Sequence, residues 1–194
     1  MKNIKKILIS LVAVSLSIVL GAGTGQLIQG HALDRDSSRE IGGGVRSLEE
    51  ELSFSKIIVR GTVVEELPTY IQDAGLDPRT NFKFSVTPSK VKVSKVIAGD
   101  IKVNDTIVFL QHGDRSTDKE NFVKSNEDVI LILNKTSDGR YWSYSYEDGL
   151  WKISNDKVSS KSRNDNLQKM KNLDTSSFEN LLSNGFKNRV KPER

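Results

Sequence analysis

The longest apolar stretch of the chain comes first and stands apart from everything after it. Ile7 to Leu20 is an uncharged hydrophobic run of 14 residues, preceded by Lys2, Lys5 and Lys6 and followed by GAGTGQLIQGHA. A positive start, an apolar centre of this length and small residues behind it predict a secretory signal over residues 1–32. Gly30 and Ala32 fit the small-residue positions before a cleavage site, so cleavage is expected after Ala32. The competing reading is an uncleaved membrane anchor over residues 7–28, a length of helix sufficient to cross a hydrocarbon core. In both readings the positive end stays inside and the rest of the chain is secreted or extracytoplasmic. Contact with the membrane is then expected only through this segment, and only if it is retained.

Beyond it, residues 33–46 are charged and then glycine-rich, with nothing to bury, and are expected to form a flexible linker. Ser47 and Glu50 fit a capping box, the serine oxygen taking the amide three residues on and the glutamate reaching back. A short helix is expected there, with Leu48, Leu52 and Phe54 on its apolar side. The period then drops to two. Ile57 to Glu66 is rich in β-branched residues, with Gly61 marking a bulge or a close backbone approach. Leu67 to Thr80, with its prolines, aspartates and glycine, reads as a long loop or a poorly formed hairpin end. Phe82, Phe84 and Val86 alternate, Pro88 interrupts, and Val91, Val93 and Val96 resume the pattern up to the turn at Gly99-Asp100. Ile101 to Leu110 is the next expected strand, with a turn at Asn104-Asp105 inside it, and Gln111 to Asn121 a polar loop. Asp128 to Leu133 is wholly apolar after its first residue and is expected to be central. Turn chemistry at Ser137-Asp138-Gly139 leads into a strand over 140–146, then Trp151 to Ser154 and Lys157 to Ser159.

Six or seven short strands at this spacing predict a mainly β domain, an antiparallel barrel or sandwich, over residues 47–160. Residues 161–194 read as a C-terminal helical tail. Asp174 or Thr175 caps a helix whose Phe178, Leu181 and Leu182 share a face, and Gly185 fits its stop.

The blocks Ile57–Val63 and Lys90–Ile107, the second built as strand, Gly-Asp turn and strand, resemble small secreted or anchored proteins of Gram-positive bacteria. The domain of those proteins is similar to the TIMP/netrin-like OB-type barrel. The resemblance covers residues 47–160 and implies a small antiparallel OB-like barrel with a short N-terminal helix and a C-terminal helix. It does not carry protease inhibition, because animal inhibitors of that fold act through an N-terminal cysteine and this chain has no cysteine.

The missing cysteine also excludes disulfides, thiolate metal sites and cysteine nucleophiles. The formal net charge of +4 is unevenly spread, with nine basic and four acidic residues from Lys157 onward. A near-neutral body with a basic tail does not predict nucleic-acid binding, which needs clustered cations. His112 is the single histidine beyond the export segment. Asp114 and Ser116 are too close to it in sequence to converge readily into a triad. Asp114, Ser116, Asp118 and Glu120 alternate like the start of a calcium loop, but Lys119 and Ser125 replace the glycine and the bidentate glutamate it needs. Glu49, Glu50, Glu51, Glu65 and Glu66 read as solvated faces. No metal and no cofactor are expected.

The densest chemical feature is aromatic: Trp142, Tyr144, Tyr146 and Trp151, with Tyr141 among them. On a continuous strand Trp142, Tyr144 and Tyr146 point to one side. Such a row packs a core or stacks against a ligand's rings, and these four residues are the candidate ligand-binding set. The expected function is a non-enzymatic binding module of the cell envelope, for a protein or a wall glycan. The alternatives are an accessory regulator of an envelope enzyme such as a protease, and a hydrolase whose carboxylates cannot be paired from sequence.

Overall fold

A computed structural model describes residues 46–74 and 82–190 of the chain. The expected signal or anchor over 1–32, and the linker up to Val45, lie outside the described residues. Among the described residues no helix is long and apolar enough to cross a membrane.

The chain is mainly β. A short helix, α1 (Leu48–Ser53), is followed by β1 (Ile57–Glu66), β2 (Tyr70–Asp73), β3 (Lys83–Ala98) and β4 (Thr106–His112). Then come β5 (Asp128–Lys135), β6 (Tyr141–Ser143), β7 (Leu150–Ser154) and β8 (Lys157–Ser159). Two helices close it, α2 (Asp165–Gln168) and α3 (Thr175–Asn188). Both halves of the capping box form, with the Glu50 amide donating to Ser47 Oγ at 3.2 Å and the Ser47 amide donating to Glu50 Oε2 at 2.7 Å.

The strand pairings return to their start. β1 pairs with β3, β3 with β4, β4 with β6, β6 with β5, and β5 again with β1. The expected all-antiparallel arrangement fails at one junction, since β4 and β6 run parallel. The reason is parity: direction must alternate around a fully antiparallel ring, and five strands cannot alternate and close.

Inside the ring, odd-numbered residues form one core. Val59, Val63, Val91, Val93, Phe109, Val129, Leu131 and Leu133 pack there with Tyr141. Outside it, even-numbered residues of β1 and β5 form a second core. Ile58, Ile130 and Ile132 lie under Leu52, Trp151, Val158, Leu167, Phe178 and Leu182. The C-terminal helices and the β7–β8 hairpin thus cover one outer face of the ring. Each fully buried large apolar side chain contributes about 1.5–3 kcal/mol.

Several elements differ from the sequence pattern, each for a local reason. β3 runs through Pro88 without a break, because Pro88 lies where β3 exchanges one neighbour for another. Pairing with β1 ends at Ser89 and pairing with β2 begins at Val86, so a missing N–H costs no ladder bond there. The proline's carbonyl still accepts from the Leu67 amide at 3.1 Å. Of the two readings of residues 67–80, the hairpin end is the one that forms among the described residues: β2 pairs antiparallel with the start of β3. The turn expected at Asn104-Asp105 forms, with Asn104 left-handed (φ 71°), but it precedes β4, which starts only at Thr106, rather than lying inside the strand. Gly185 does not end α3. It lies within the helix, where a β-carbon would come within 3.0 Å of Leu52 Cδ1, so the glycine lets α1 pack close. Leu181 is 42 % exposed and Phe54 49 % exposed, so neither belongs to the apolar face expected of it. Gly61 does mark both a register shift and a close approach: a β-carbon there would meet the Lys92 carbonyl oxygen at 2.5 Å.

Candidate functional site

The helices and hairpin cover the outer face of β1 and β5; the outer face of β3, β4 and β6 carries aromatic side chains instead. Alternation along β3 puts Phe84 and Val86 on that face, and Val86 lies opposite His112 at the end of β4. One pleat back, Leu110 lies opposite Trp142 of β6. The rings meet in sequence across the three strands. Phe82 and Phe84 have centroids 6.3 Å apart, and Phe84 and His112 5.2 Å. His112 stacks on Trp142 at 4.2 Å with planes 21° from parallel, and Tyr146 closes on His112 at 4.9 Å. The two ends are open to solvent, with Phe82 57 % and Tyr146 65 % exposed.

Tyr146 is held there by an unusual backbone. It begins a 3₁₀ turn (Tyr146–Gly149) with φ at +39°, a conformation that bulky residues rarely adopt and that costs on the order of 1–2 kcal/mol. Ser143 Oγ donates to the Tyr146 carbonyl at 2.5 Å. Gly149 packs so tightly that a β-carbon would meet the Ile132 carbonyl oxygen at 2.6 Å. These constraints turn the chain sharply after Ser143 and bring Tyr146 back against His112.

A polar group lies at the start of β6. Arg140 donates through Nε to Asp138 Oδ2 at 2.7 Å and through Nη1 to the Tyr70 hydroxyl at 2.5 Å. Its guanidinium also lies 5.5 Å from the centre of the Tyr70 ring, and the Tyr70 hydroxyl donates to Gln72 Oε1 at 3.3 Å. The side chain of Arg140, with help from the Thr136 hydroxyl, holds the Asp138 carboxyl well below the usual carboxylate range. The cation is therefore matched by an anion on the spot. Burial pushes the His112 imidazole below the ordinary histidine value, and the nearby Glu147 carboxylate opposes the shift only partly.

The four aromatic residues singled out from sequence separate into two pairs. Trp142 and Tyr146 lie in the exposed ring run. Trp151 is fully buried, its ring 4.4 Å from Phe178 and its Nε1 donating to the Asp148 carbonyl at 3.0 Å. Tyr144 packs against the second core, and its hydroxyl donates to Glu51 Oε2 at 3.3 Å. Burial, reinforced by Glu51, raises that phenol far above its usual range. The expected one-sided row over 142, 144 and 146 is absent because β6 ends at Ser143. Three members of the ring run, Phe82, Phe84 and His112, were not in the ligand-binding set read from sequence. The alternation of the two phenylalanines was visible, but nothing in sequence says that β4 and β6 lie side by side.

The other chemical candidates are occupied locally. The Asp114 carboxylate accepts from the Ser116 amide at 2.8 Å, and His112 has rings about it, so these three form no triad. Asp118 accepts from the Asn121 side chain and Glu120 pairs with Lys124 at 3.0 Å. Among the described residues no cluster of three or more His, Asp or Glu could hold a metal ion. Glu65 pairs with Lys90 at 2.7 Å and Glu66 with Arg115 at 2.9 Å. Glu51 departs from the expected solvated face: it is buried and accepts from Asn164 Nδ2 at 2.9 Å as well as from Tyr144. A shallow depression over Arg60, Thr62, Ser94 and Lys95 has Asp128 as the one carboxylate among its lining residues. No protein-family model matches the chain, and no curated protein sequence matches it.

Proposed function

We propose that the chain is an exported, non-enzymatic binding module of the cell envelope, built on an OB-like barrel, that holds a protein or a wall glycan on its exposed ring run. The observation that carries this reading is the ring run itself: aromatic surface from three adjacent strands, left uncovered while helices bury the opposite side. Solvent-exposed apolar patches of this kind mark interaction sites more often than they occur idly.

The OB-like reading draws support from the five-strand circuit with its single parallel junction. In an OB barrel the second and third strands and the first-second and fourth-fifth loops bind extended ligands. Taking β1, β3, β4, β5 and β6 as the five barrel strands, the rings of Phe84 and His112 lie on the second and third. Arg140 and Asp138 then belong to the fourth-fifth connection and Tyr70 to the first-second one. Export rests on residues 1–32.

The test uses the full chain, epitope-tagged at its C-terminus, recovered from intact cells. Retention on the envelope fraction is expected for the wild type and lost for Trp142→Ala with Tyr146→Ala, while the thermal midpoint shifts by a few degrees at most. Undiminished retention of the double variant overturns the reading. The N-terminus of the recovered protein tests export: Leu33 marks cleavage, and a retained Lys2 marks an anchor.

A further inference from the structure

We infer that the exposed rings and the Tyr70–Arg140–Asp138 group form a two-part site for an uncharged oligosaccharide chain. This rests on the binding-module reading above and names the ligand of the same site.

The site's one guanidinium is taken up by a carboxylate within it, Arg140 Nη2 lying 2.6 Å from Asp138 Oδ2. A phosphate backbone or an acidic peptide needs unmatched cations, and here the nearest one is already matched. The matched pair leaves stacking and hydrogen bonding as the forces this site offers.

The rings supply the first. In the middle of the run they lie against one another, so their faces are used. At the ends, Phe82 and Tyr146 still present ring surface to solvent. The C–H-rich face of a pyranose can lie on such surface and displace its water without carrying a charge. The spacing follows from sheet geometry, neighbouring strands lying about 4.8 Å apart. A chain of several sugar units laid across β3, β4 and β6 from Phe82 to Tyr146 therefore meets an open ring face at each end and ring edges between them.

The polar group supplies the second force. A planar guanidinium fixed by a carboxylate, next to a phenol and an amide, offers donors and acceptors in set directions. Sugar hydroxyls both donate and accept, and they match this mixed group where a purely apolar or purely anionic ligand does not. Because Arg140 is already oriented by Asp138 and Tyr70, little side-chain freedom is lost when a ligand arrives.

The experiment is a titration of the full chain with β-1,4-linked N-acetylglucosamine oligomers, followed by calorimetry and tryptophan emission. The two tryptophans divide the work, since Trp151 is fully buried and Trp142 lies in the site. Saturable binding is expected for the tetramer and hexamer, far weaker for the monosaccharide, with an emission change that disappears in Trp142→Phe although heat of binding remains. Trp142→Ala is expected to weaken binding at least tenfold, and Arg140→Ala to weaken it severalfold and blunt discrimination between oligomers. Absence of saturable binding up to millimolar oligomer, or binding unchanged in Trp142→Ala, overturns the inference. So does tighter binding of an oligothymidylate or a proline-rich peptide at the same rings. Envelope retention that depends on Trp142, combined with no oligosaccharide binding, removes the glycan and leaves the binding module standing. Loss of both dependences removes both.

Discussion

The imidazole of His112 lies face to face with the indole of Trp142, centroids 4.2 Å apart, with Phe84 and Tyr146 closing on its other sides. Burial among these rings favours the neutral imidazole, against the pull of Glu147. The folded state therefore takes up the proton less readily than the unfolded chain, whose histidine titrates near 6.5. Stability is expected to be flat above that value and to fall as the pH drops below it, levelling off once the folded imidazole itself is charged. Chemical denaturation between pH 8 and 5 checks this, with His112→Gln as control: the variant should lose the part of the slope that the wild type shows just below 6.5.

Trp151 and Trp142 are expected to respond to very different degrees to the same truncation. Trp151→Ala leaves a cavity against Phe178 in the second core and should cost about 3–5 kcal/mol. Trp142→Ala removes a half-buried ring stacked on His112 and should cost about 1 kcal/mol. Thermal melts of the two variants decide the matter. A large loss at Trp142 would make its ring part of the core and weaken the case for a binding surface.

Glu179 ties α3 to the ring of strands. It is buried and lies 3.4 Å from Arg60 Nη1 on β1 and 2.5 Å from Lys95 Nζ on β3. Glu179→Gln keeps the shape and removes the charge. The loss is expected at about 1–2 kcal/mol, because Arg60 and Lys95 reach water once released. Combining it with Lys95→Met in a double-mutant cycle measures the coupling directly; additive losses would mean the pair contributes nothing.

Asp174 caps α3. The Ser177 amide, then the Ser176 hydroxyl, hold its carboxyl down at about 2. A depressed carboxyl stabilises the fold above its unfolded value of 3.8, and this contribution fades as the pH falls from there toward about 2. Asp174→Asn keeps the capping oxygen and should flatten this part of the acid-denaturation profile, as circular dichroism at the helical minimum would show.

How much of this was legible in the sequence depended on how local the cause is. The α1 cap is set by Ser47 and Glu50, three residues apart, and the β1 pattern by ten consecutive residues, so both could be read. The turn chemistry at Ser137-Asp138-Gly139 could be read for the same reason, with Gly139 taking a φ of 85°. The strand predicted over 140–146 shows the limit. Tyr144 and Tyr146 have strand-forming side chains, yet Gly149 packing on Ile132 and the buried Glu51 draw the chain away after Ser143. The ring run is further still from local information. Phe84 meets His112 through the antiparallel β3–β4 pairing, but His112 and Trp142 are neighbours only because β4 and β6 pair in parallel, the junction that closes the ring. Leu181 looked like a core residue by helical spacing, but the covered face of α3 is set by Glu179 and Phe178 turning inward.

The strand that completes the circuit is also its shortest. β6 has three residues, matched at two positions to β4 and at three to β5, whereas β1 and β5 share six. Sub-global opening should begin there, and the amides of Tyr141, Trp142 and Ser143 should exchange with deuterium sooner than those of Ile57 to Thr62. Trp142 belongs to that strand, so anything that grips its indole also holds the circuit shut. Occupancy of the ring run would then be readable at a distance, as slowed exchange along β4 and β5 in proportion to the concentration of what is bound.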